Sequence, residues 1–312
     1  MTSLSFIIPT FNEEHNIGDT IDRIVEITGK DWMREIIVVD NGSKDDTVKI
    51  ATEKGARVLN YPDVFISSLR NRGAHASTAE ILIFIDGDVS VTPQWGTELN
   101  DAVSQLLENP MQIIGSVCGV AEQAGWLERN WFDPALRRKP PGYVNSAHMI
   151  VHRSLFEALG GFDENIETGE DVDFSERAKH RGARIVLNPR LAVIHKDFPK
   201  NIRAFFKREK WHARGDYSSI HKLKYSKPAM VSVFLLLALP FSVILSLMAK
   251  QIWMITLYLG LFVAVCLLAS IHRFGISGFS WIKGGTIYAI YFTARGISFV
   301  EVMYFRIRRL IE

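Results

Sequence analysis

The stretch Glu80-Ile81-Leu82-Ile83-Phe84-Ile85-Asp86-Gly87-Asp88 decides the fold. Its apolar run has the length of a buried strand, and it stops at two carboxylates separated by one small residue. Working outward, Leu4 to Ile8 is a second such run. After Pro9-Thr10-Phe11-Asn12, acidic residues open a helix whose apolar positions Ile17, Ile21, Ile24 and Val25 fall at helical spacing. Glu35 to Val39 reads as a strand ending in the turn-forming Asp40-Asn41-Gly42-Ser43, and Asp45-Asp46 open a helix through Val48 and Ala51. Arg57 to Asn60 is a further strand and Ser67 to Ser77 a helix. This alternation predicts an α/β fold with a mostly parallel sheet and helices on both faces.

In such a sheet a ligand binds beyond the carboxyl ends of the strands. Three strands end there in polar turns: Thr10-Phe11-Asn12-Glu13, Asp40-Asn41-Gly42-Ser43 and Asp86-Gly87-Asp88. No Gly-x-Gly-x-x-Gly follows the first strand and no Gly-Lys-Ser/Thr loop is present, so the common dinucleotide and phosphate loops are excluded. A nucleotide is then held by carboxylates, backbone groups and a metal. Asp86 and Asp88 point into one cleft, and Gly87 lets a diphosphate approach the backbone. Their oxygens suit Mg²⁺ or Mn²⁺, which neutralises a diphosphate and supports its departure.

The chain resembles the family 2 glycosyltransferases, nucleotide-sugar enzymes of the GT-A fold. The residues that carry the resemblance are Ser5 to Glu14, Ile37 to Ser43, Asp45-Asp46-Thr47, Arg70-Asn71-Arg72-Gly73, Asp86-Gly87-Asp88, Gly160-Gly161-Phe162-Asp163-Glu164 and Glu170-Asp171, in family order over roughly residues 3 to 215. The resemblance implies that Pro9, Thr10, Phe11 and Glu13 line the base and ribose. It implies that Asp40 reads the base or ribose, with Asp45 less firmly placed, and that Arg72 sits near the pyrophosphate. It implies that Asp86 contacts ribose or the sugar diphosphate, with Gly87 beside it in the donor site, and that Asp88 holds the divalent metal. His195, at the end of the apolar run Leu191 to Ile194, stands where related enzymes place a further metal or phosphate ligand.

Glu170-Asp171 opens an amphipathic helix with Phe174 and Ala178 one turn apart, so Asp171 lies at a helix start. By resemblance Asp171, beside Glu170, is the base of an inverting transfer, with Asp173 as the alternative. The segment Lys210-Trp211-His212-Ala213-Arg214-Gly215 departs from the Gln-x-x-Arg-Trp of processive relatives, which favours single transfer over polymer extension. Trp126, Trp131 and Trp211 are candidates to stack on an acceptor sugar or to serve as core or interfacial aromatics. A phosphate nucleophile needs no base, so the carboxylate pair points to a hydroxyl acceptor on a membrane-associated, lipid-linked glycan. A polyprenyl-phosphate glycosyltransferase is the alternative enzyme, and a non-catalytic nucleotide-sugar-binding membrane scaffold the alternative of another class. A nucleotidyltransferase calls for a Gly-rich basic loop where Thr10-Phe11-Asn12-Glu13-Glu14 stands.

The 312 residues are 22% charged and 47% apolar with two cysteines, which excludes disorder and a disulfide scaffold. Net charge is +2 with basic residues dispersed, so no nucleic-acid partner is expected. Cys118 and Cys266 read as small core or lipid-facing residues. Ala229 to Ala249 and Gln251 to Ile271 carry no charge, and each has membrane length. Lys222, Lys224 and Lys227 precede the pair, and His272, Arg273 and Lys283 follow it. A hairpin turning near Lys250, with Pro240 tolerated inside it, therefore keeps both flanks cytoplasmic. No signal peptide is visible, so the expected location is the inner membrane, multi-pass, with a cytoplasmic catalytic domain. The expected division is a GT-A domain over 1–225, two transmembrane helices over 226–273, and, over 274–312, an interfacial amphipathic helix or third membrane segment with a basic tail. That last part contains Arg295 and Glu301 within Gly284 to Tyr304, followed by Arg306, Arg308 and Arg309.

Overall fold

The computed structural model describes residues 2–29, 32–276 and 280–311, with the side chains at 221, 225 and 309–311, Arg309 among them, outside the description. The chain forms two compact units, one of residues 1–123 and 140–198, the other of residues 124–139 and 199–312.

The first unit is built on β1 (Ser3–Thr10), α1 (Ile17–Thr28), β2 (Met33–Asp40), α2 (Thr47–Glu53), β3 (Arg57–Asn60), α3 (Ile66–Ala76) and β4 (Ile81–Ile85). The predicted strand and helix alternation is present throughout this part. β5 (Val89–Val91), α4 (Pro93–Glu108), β6 (Gln112–Gly115) and β7 (Gly119–Val120) follow. After residues 124–139, which include α5 (Trp126–Trp131) of the second unit, come β8 (His148–His152), α6 (Arg153–Ala158), α7 (Glu170–His180), β9 (Arg184–Leu187) and β10 (Val193–His195). Seven strands make one sheet in the order β3-β2-β1-β4-β8-β6-β9, and only β8 runs antiparallel to its neighbours. A second sheet, β5-β10-β7, carries the residues that follow the Asp-Gly-Asp turn.

β1 and β4 are buried along nearly their whole length, as a parallel strand covered on both faces must be. Pro9 lies inside β1 without cost to the ladder, because pairing with β4 ends at Ile7↔Phe84 and only β2 flanks the strand beyond it. Helix α3 lies close on this sheet because residue 73 is glycine. A Cβ there would sit 2.4 Å from Ile7 Cγ2 and 3.1 Å from Val39 Cγ2.

The second unit holds α5, α8 (Ile202–Asp216), α9 (Ile220–Tyr225), α10 (Lys227–Ala249), α11 (Trp253–Phe274) and α12 (Ser280–Ile311). Helices α10 and α11 are long and apolar enough to cross a membrane, and only 22% and 11% of their most apolar stretches are buried. Pro240 stands inside α10, and the turn between the two closes on Lys250 in the left-handed region (φ 51°), with Gln251 N–H donating to Ser246 O at 3.0 Å.

Three charged residues of α12, Arg295, Glu301 and Arg306, find partners within this unit. Arg295 is buried and pairs with Asp216 and, at 3.6 Å, with Glu209; Glu301 accepts from Lys210 at 2.8 Å. Arg306 donates to the carbonyls of Tyr217 and Ser218, each at 2.6 Å. Arg273 lies 4.2 Å over the Trp131 ring, whose edge-on neighbours include Phe205 and Tyr288, so Trp131 is a core aromatic of this unit. Gly284 and Gly285 let α12 approach α11: added Cβ atoms would meet Ser270 Oγ at 2.2 Å and Leu267 Cδ2 at 2.7 Å.

Gly73→Ala should lower stability by about 1–3 kcal/mol through overpacking between α3 and β1. Thermal or urea unfolding of the purified chain measures this.

Candidate active site

The site lies in the first unit, beyond the carboxyl ends of β1, β2 and β4. Asp86 follows β4, and its backbone N–H donates to Ala147 O at 3.3 Å. β5 starts immediately after Asp88 and pairs antiparallel with β10 in the register His195↔Val89. That register brings His195 Nδ1 to 3.1 Å from Asp88 Oδ2 across 107 residues of sequence. One ligand atom from each of Asp86, Asp88 and His195 lies within 4.8 Å of the others. The Asp-Gly-Asp turn is held from below, since Thr20 Oγ1 of α1 donates to Gly87 O at 2.8 Å. A Cβ on Gly87 would lie 3.1 Å from Thr10 Cγ2 and 3.2 Å from Glu13 Cγ. The smallness of residue 87 thus serves the close approach of the β1 turn.

Negative charge accumulates here. Glu13 is half-buried; burial raises its pKa, Asn16 opposes the rise by donating to it at 3.1 Å, and Asp197 and Asp86 add repulsion. Asn16 also donates to Asp197 at 2.7 Å, which ties the segment after His195 to the start of α1. Asp88 is 7% exposed, and burial, followed by the charges of Asp86, Glu13 and Asp197, pushes its carboxyl up to about 8. Such a donor set is short of positive charge. Two carboxylates and an imidazole in this spacing fit a divalent cation of the Mg²⁺ or Mn²⁺ type.

A second carboxylate pair stands at the start of α7, entered through Gly169 in the left-handed region (φ 83°). Glu170 Oε1 accepts from Arg70 Nη1 at 2.6 Å and from Ser146 Oγ at 3.0 Å. The other end of the same guanidinium donates to Asp86 Oδ1 at 2.6 Å. Asp171 is buried beside them and accepts from Val172 N–H at 2.8 Å. Burial, and next the charge of Glu170, pushes its carboxyl up to about 7, against the opposing pull of backbone N–H groups and Arg70. A helix N-terminus is worth about 1 kcal/mol to a carboxylate, and desolvation outweighs it here.

Ser146 is positioned by the turn before β8. His148 is fully buried, accepts from Trp95 Nε1 at 2.7 Å and faces Ser116 Oγ with Nδ1 at 2.9 Å. Because indole N–H only donates, the ring is neutral with its proton on Nδ1, and burial holds its pKa down at about 3.

The remaining sequence candidates fall in different surroundings. Pro9 and Thr10 are buried at the end of β1, and Phe11 is 56% exposed beside them. Asp40 is buried, with Oδ2 accepting from Gly42 and Ser43 N–H at 2.9 Å each and Oδ1 from Ser43 Oγ at 2.5 Å. Its carboxylate thus closes its own turn. Asp45 likewise accepts from Thr47 and from the backbone of Glu14. Arg72 lies 4.3 Å over the Tyr61 ring and donates to Ser68 Oγ at 3.2 Å. Asp173 pairs with Arg177 at 2.7 Å.

Sequence reasoning missed Arg70, Ser146 and Asp197. The signal for Arg70 was the Arg70-Asn71-Arg72-Gly73 run itself. On a helix, residues two apart face different ways, and here it is Arg70 that faces inward. Asn71 clamps the Gly160-Gly161-Phe162 turn by accepting from Phe162 N–H at 2.9 Å and donating to Phe162 O at 2.8 Å. Gly161 has φ 70°, and a Cβ there would meet Asn71 Oδ1 at 2.6 Å.

Residues 5–158 match the model of glycosyl transferase family 2, and residues 140–276 that of glycosyl transferase family group 2. The chain belongs to the family 2 glycosyltransferases. The first match spans the β1, β2 and β4 ends with Arg70, and the second spans Glu170-Asp171 and His195. Among glycosyltransferases, AglE of Haloferax volcanii is 27% identical over 192 residues, 57% of this chain and 62% of that protein. The undecaprenyl-phosphate 4-deoxy-4-formamido-L-arabinose transferase of Pseudomonas fluorescens is 30% identical over 165 residues, 51% of this chain and 44% of that one. The chain therefore spans less than two thirds of the length of these curated relatives. The mannosyltransferase PcManGT from Pyrobaculum calidifontis, solved in complex with GDP-Man and Mn²⁺, shares the GT-A fold at TM-score 0.64 and 18% identity, covering 95% of this chain and 86% of that one.

A ligand carboxyl protonated below about pH 8 must lose its proton before it binds metal, so Mn²⁺ affinity should rise about tenfold per pH unit between pH 6 and 8. Asp88→Asn should bind Mn²⁺ weakly and without that slope. Titration of free Mn²⁺ by electron paramagnetic resonance reads both.

Proposed function

We propose that this family 2 glycosyltransferase transfers a sugar, with inversion, from a nucleotide-diphosphate donor to a hydroxyl of a membrane-associated, lipid-linked glycan. The observation that carries the reading is the pairing of two separate acidic stations in one unit. Asp86, Asp88 and His195 form a cluster suited to a divalent cation, and Asp171 is a buried carboxyl held near neutrality. Asp86, Asp88 and His195 would hold Mg²⁺ or Mn²⁺, which when bound neutralises the departing diphosphate. Glu13, with Pro9, Thr10 and Phe11, would border the nucleoside, and Arg72 over Tyr61 offers a cationic, aromatic wall on the same side of the sheet. Asp171 takes the acceptor proton as the acceptor oxygen bonds to the anomeric carbon. The bond to the diphosphate oxygen breaks on the opposite face, and the electron pair leaves with the diphosphate. A carboxyl near pH 7 suits a general base at physiological pH.

The apolar helices α10 and α11, left mostly uncovered, support a membrane tether and hence an acceptor presented at a bilayer surface. Lys222, Lys224, Lys227 and Arg273 at their two flanking ends support a cytoplasmic first unit. A polyprenyl phosphate is the second acceptor reading, favoured by the likeness to the undecaprenyl-phosphate transferase.

One variant separates the two. A hydroxyl acceptor needs a base, so Asp171→Asn should keep donor binding and lose about 10²–10⁴-fold in transfer, whereas a phosphate oxyanion should be glycosylated at near-normal rate. Transfer by the full-length chain with Mn²⁺, measured side by side on a polyprenyl-diphosphate-linked sugar and on a polyprenyl phosphate, decides between them. No transfer to either from any UDP- or GDP-sugar overturns the proposal.

A further inference from the structure

Arg70 is 1% exposed in the middle of α3, yet neither end of its guanidinium bonds to its own helix. One Nη reaches Asp86 beyond β4 and the other reaches Glu170 at the start of α7, each at 2.6 Å. Both are charge-assisted bonds at the short end of their range, and a planar fork fixes the direction of each. The Cζ also lies 5.9 Å from the centroid of the Phe162 ring, whose turn Asn71 clamps, so an aromatic ring borders the guanidinium as well. On the far side, Ser146 Oγ donates to the same Glu170 oxygen. Glu170 Oε1 therefore already accepts two side-chain donors, whereas the Asp171 carboxylate accepts from the backbone N–H groups of Val172, at 2.8 Å, and Ser146.

We propose that Arg70 is a positioning residue that fixes Asp86 and Glu170 against one another, so that Glu170 serves as its counter-charge and Asp171 alone acts as the proton acceptor. This rests on the transfer reading above. It ties the carboxylate that meets the donor side to the helix that carries the base by a single cation, and it gives neighbouring residues 170 and 171 different tasks. The charged groups facing Asp171 are Glu170 on α7 and Arg70 on α3. They act on it in opposite senses, because the anion raises its proton affinity and the cation lowers it. A lysine at position 70 offers one ammonium and cannot bond two carboxylates in divergent directions.

The test uses the full-length chain in detergent, with release of nucleoside diphosphate from a panel of UDP- and GDP-sugars in Mn²⁺ and with thermal unfolding. Glu170→Gln retains an acceptor oxygen for Arg70 and should lose about tenfold in kcat, the scale of an outer-shell change, with KM within about twofold. Asp171→Asn should lose about 10²–10⁴-fold. The acidic limb of the rate profile should move to lower pH in Glu170→Gln and to higher pH in Arg70→Met, and the double variant should return towards the parent. Arg70→Lys should resemble Arg70→Met in kcat rather than the parent.

Inactivation of Glu170→Gln as complete as that of Asp171→Asn overturns the proposal, and so do acidic limbs that fail to move apart. Thermal unfolding supplies a reading independent of turnover, since Arg70→Met should melt lower than the double variant Arg70→Met/Glu170→Gln; simple additivity overturns the pairing. A parent chain that releases no diphosphate from any donor, with this thermal coupling intact, overturns the transfer reading and the role of Asp171 with it, while the linkage through Arg70 stands.

Discussion

The first unit is organised around a surplus of negative charge gathered at the carboxyl ends of parallel strands. Glu13, Asp86, Asp88 and Asp197 act on one another through buried or half-buried surroundings, and Arg70 reaches into this group by a direct bond to Asp86. A buried guanidinium is costly to desolvate and holds its place only when its donors are well used. Here two carboxylates from elements distant in sequence use it, which fixes β4, α3 and α7 as a set. Burial and this repulsion fall most heavily on Asp88, whose carboxyl is pushed up to about 8, and a divalent cation bound there would offset them.

The same residue type does different work according to the donors that surround it. Asp40 and Asp171 are both buried aspartates at element ends. Asp40 accepts two backbone N–H groups and a hydroxyl from its own turn, so its carboxylate is a structural closure. Asp171 accepts the N–H of Val172, stands next to Glu170 and is pushed up to about 7. Position alone does not separate a carboxylate that closes a turn from one pushed towards neutral pH; burial, neighbouring charge and the local supply of donors do.

The second unit solves a different problem. Helix α12 is apolar over much of its length yet carries Arg295, Glu301 and Arg306, and each of these is engaged by residues 209–218 of α8 and the turn after it. Helices α10 and α11 carry no such charges in their middle and leave most of their apolar surface uncovered. The charges of Arg295, Glu301 and Arg306 are thus paired within the unit, while the apolar surface left uncovered belongs to the two helices long enough to cross a membrane.

Much of this was legible from residue order. The short apolar runs at Leu4, Glu35, Arg57 and Ile81 give β1 to β4 because strand burial leaves a local pattern, and the Asp-Gly-Asp turn marks the cleft because it interrupts one of those runs. The two uncharged segments give α10 and α11 for the same reason. What the order of residues could not assign was pairing over distance. The antiparallel β8, the meeting of His195 with Asp88 through the β5–β10 register, and the choice of Arg70 over Arg72 as the inward residue of α3 all depend on which elements lie side by side. A local sequence therefore determines which residues can ionise and which strands they terminate. Only the tertiary structure decides which carboxylate receives the cation, which closes a turn, and which keeps its proton near neutral pH, because those outcomes are set by burial and by donors supplied from far along the chain.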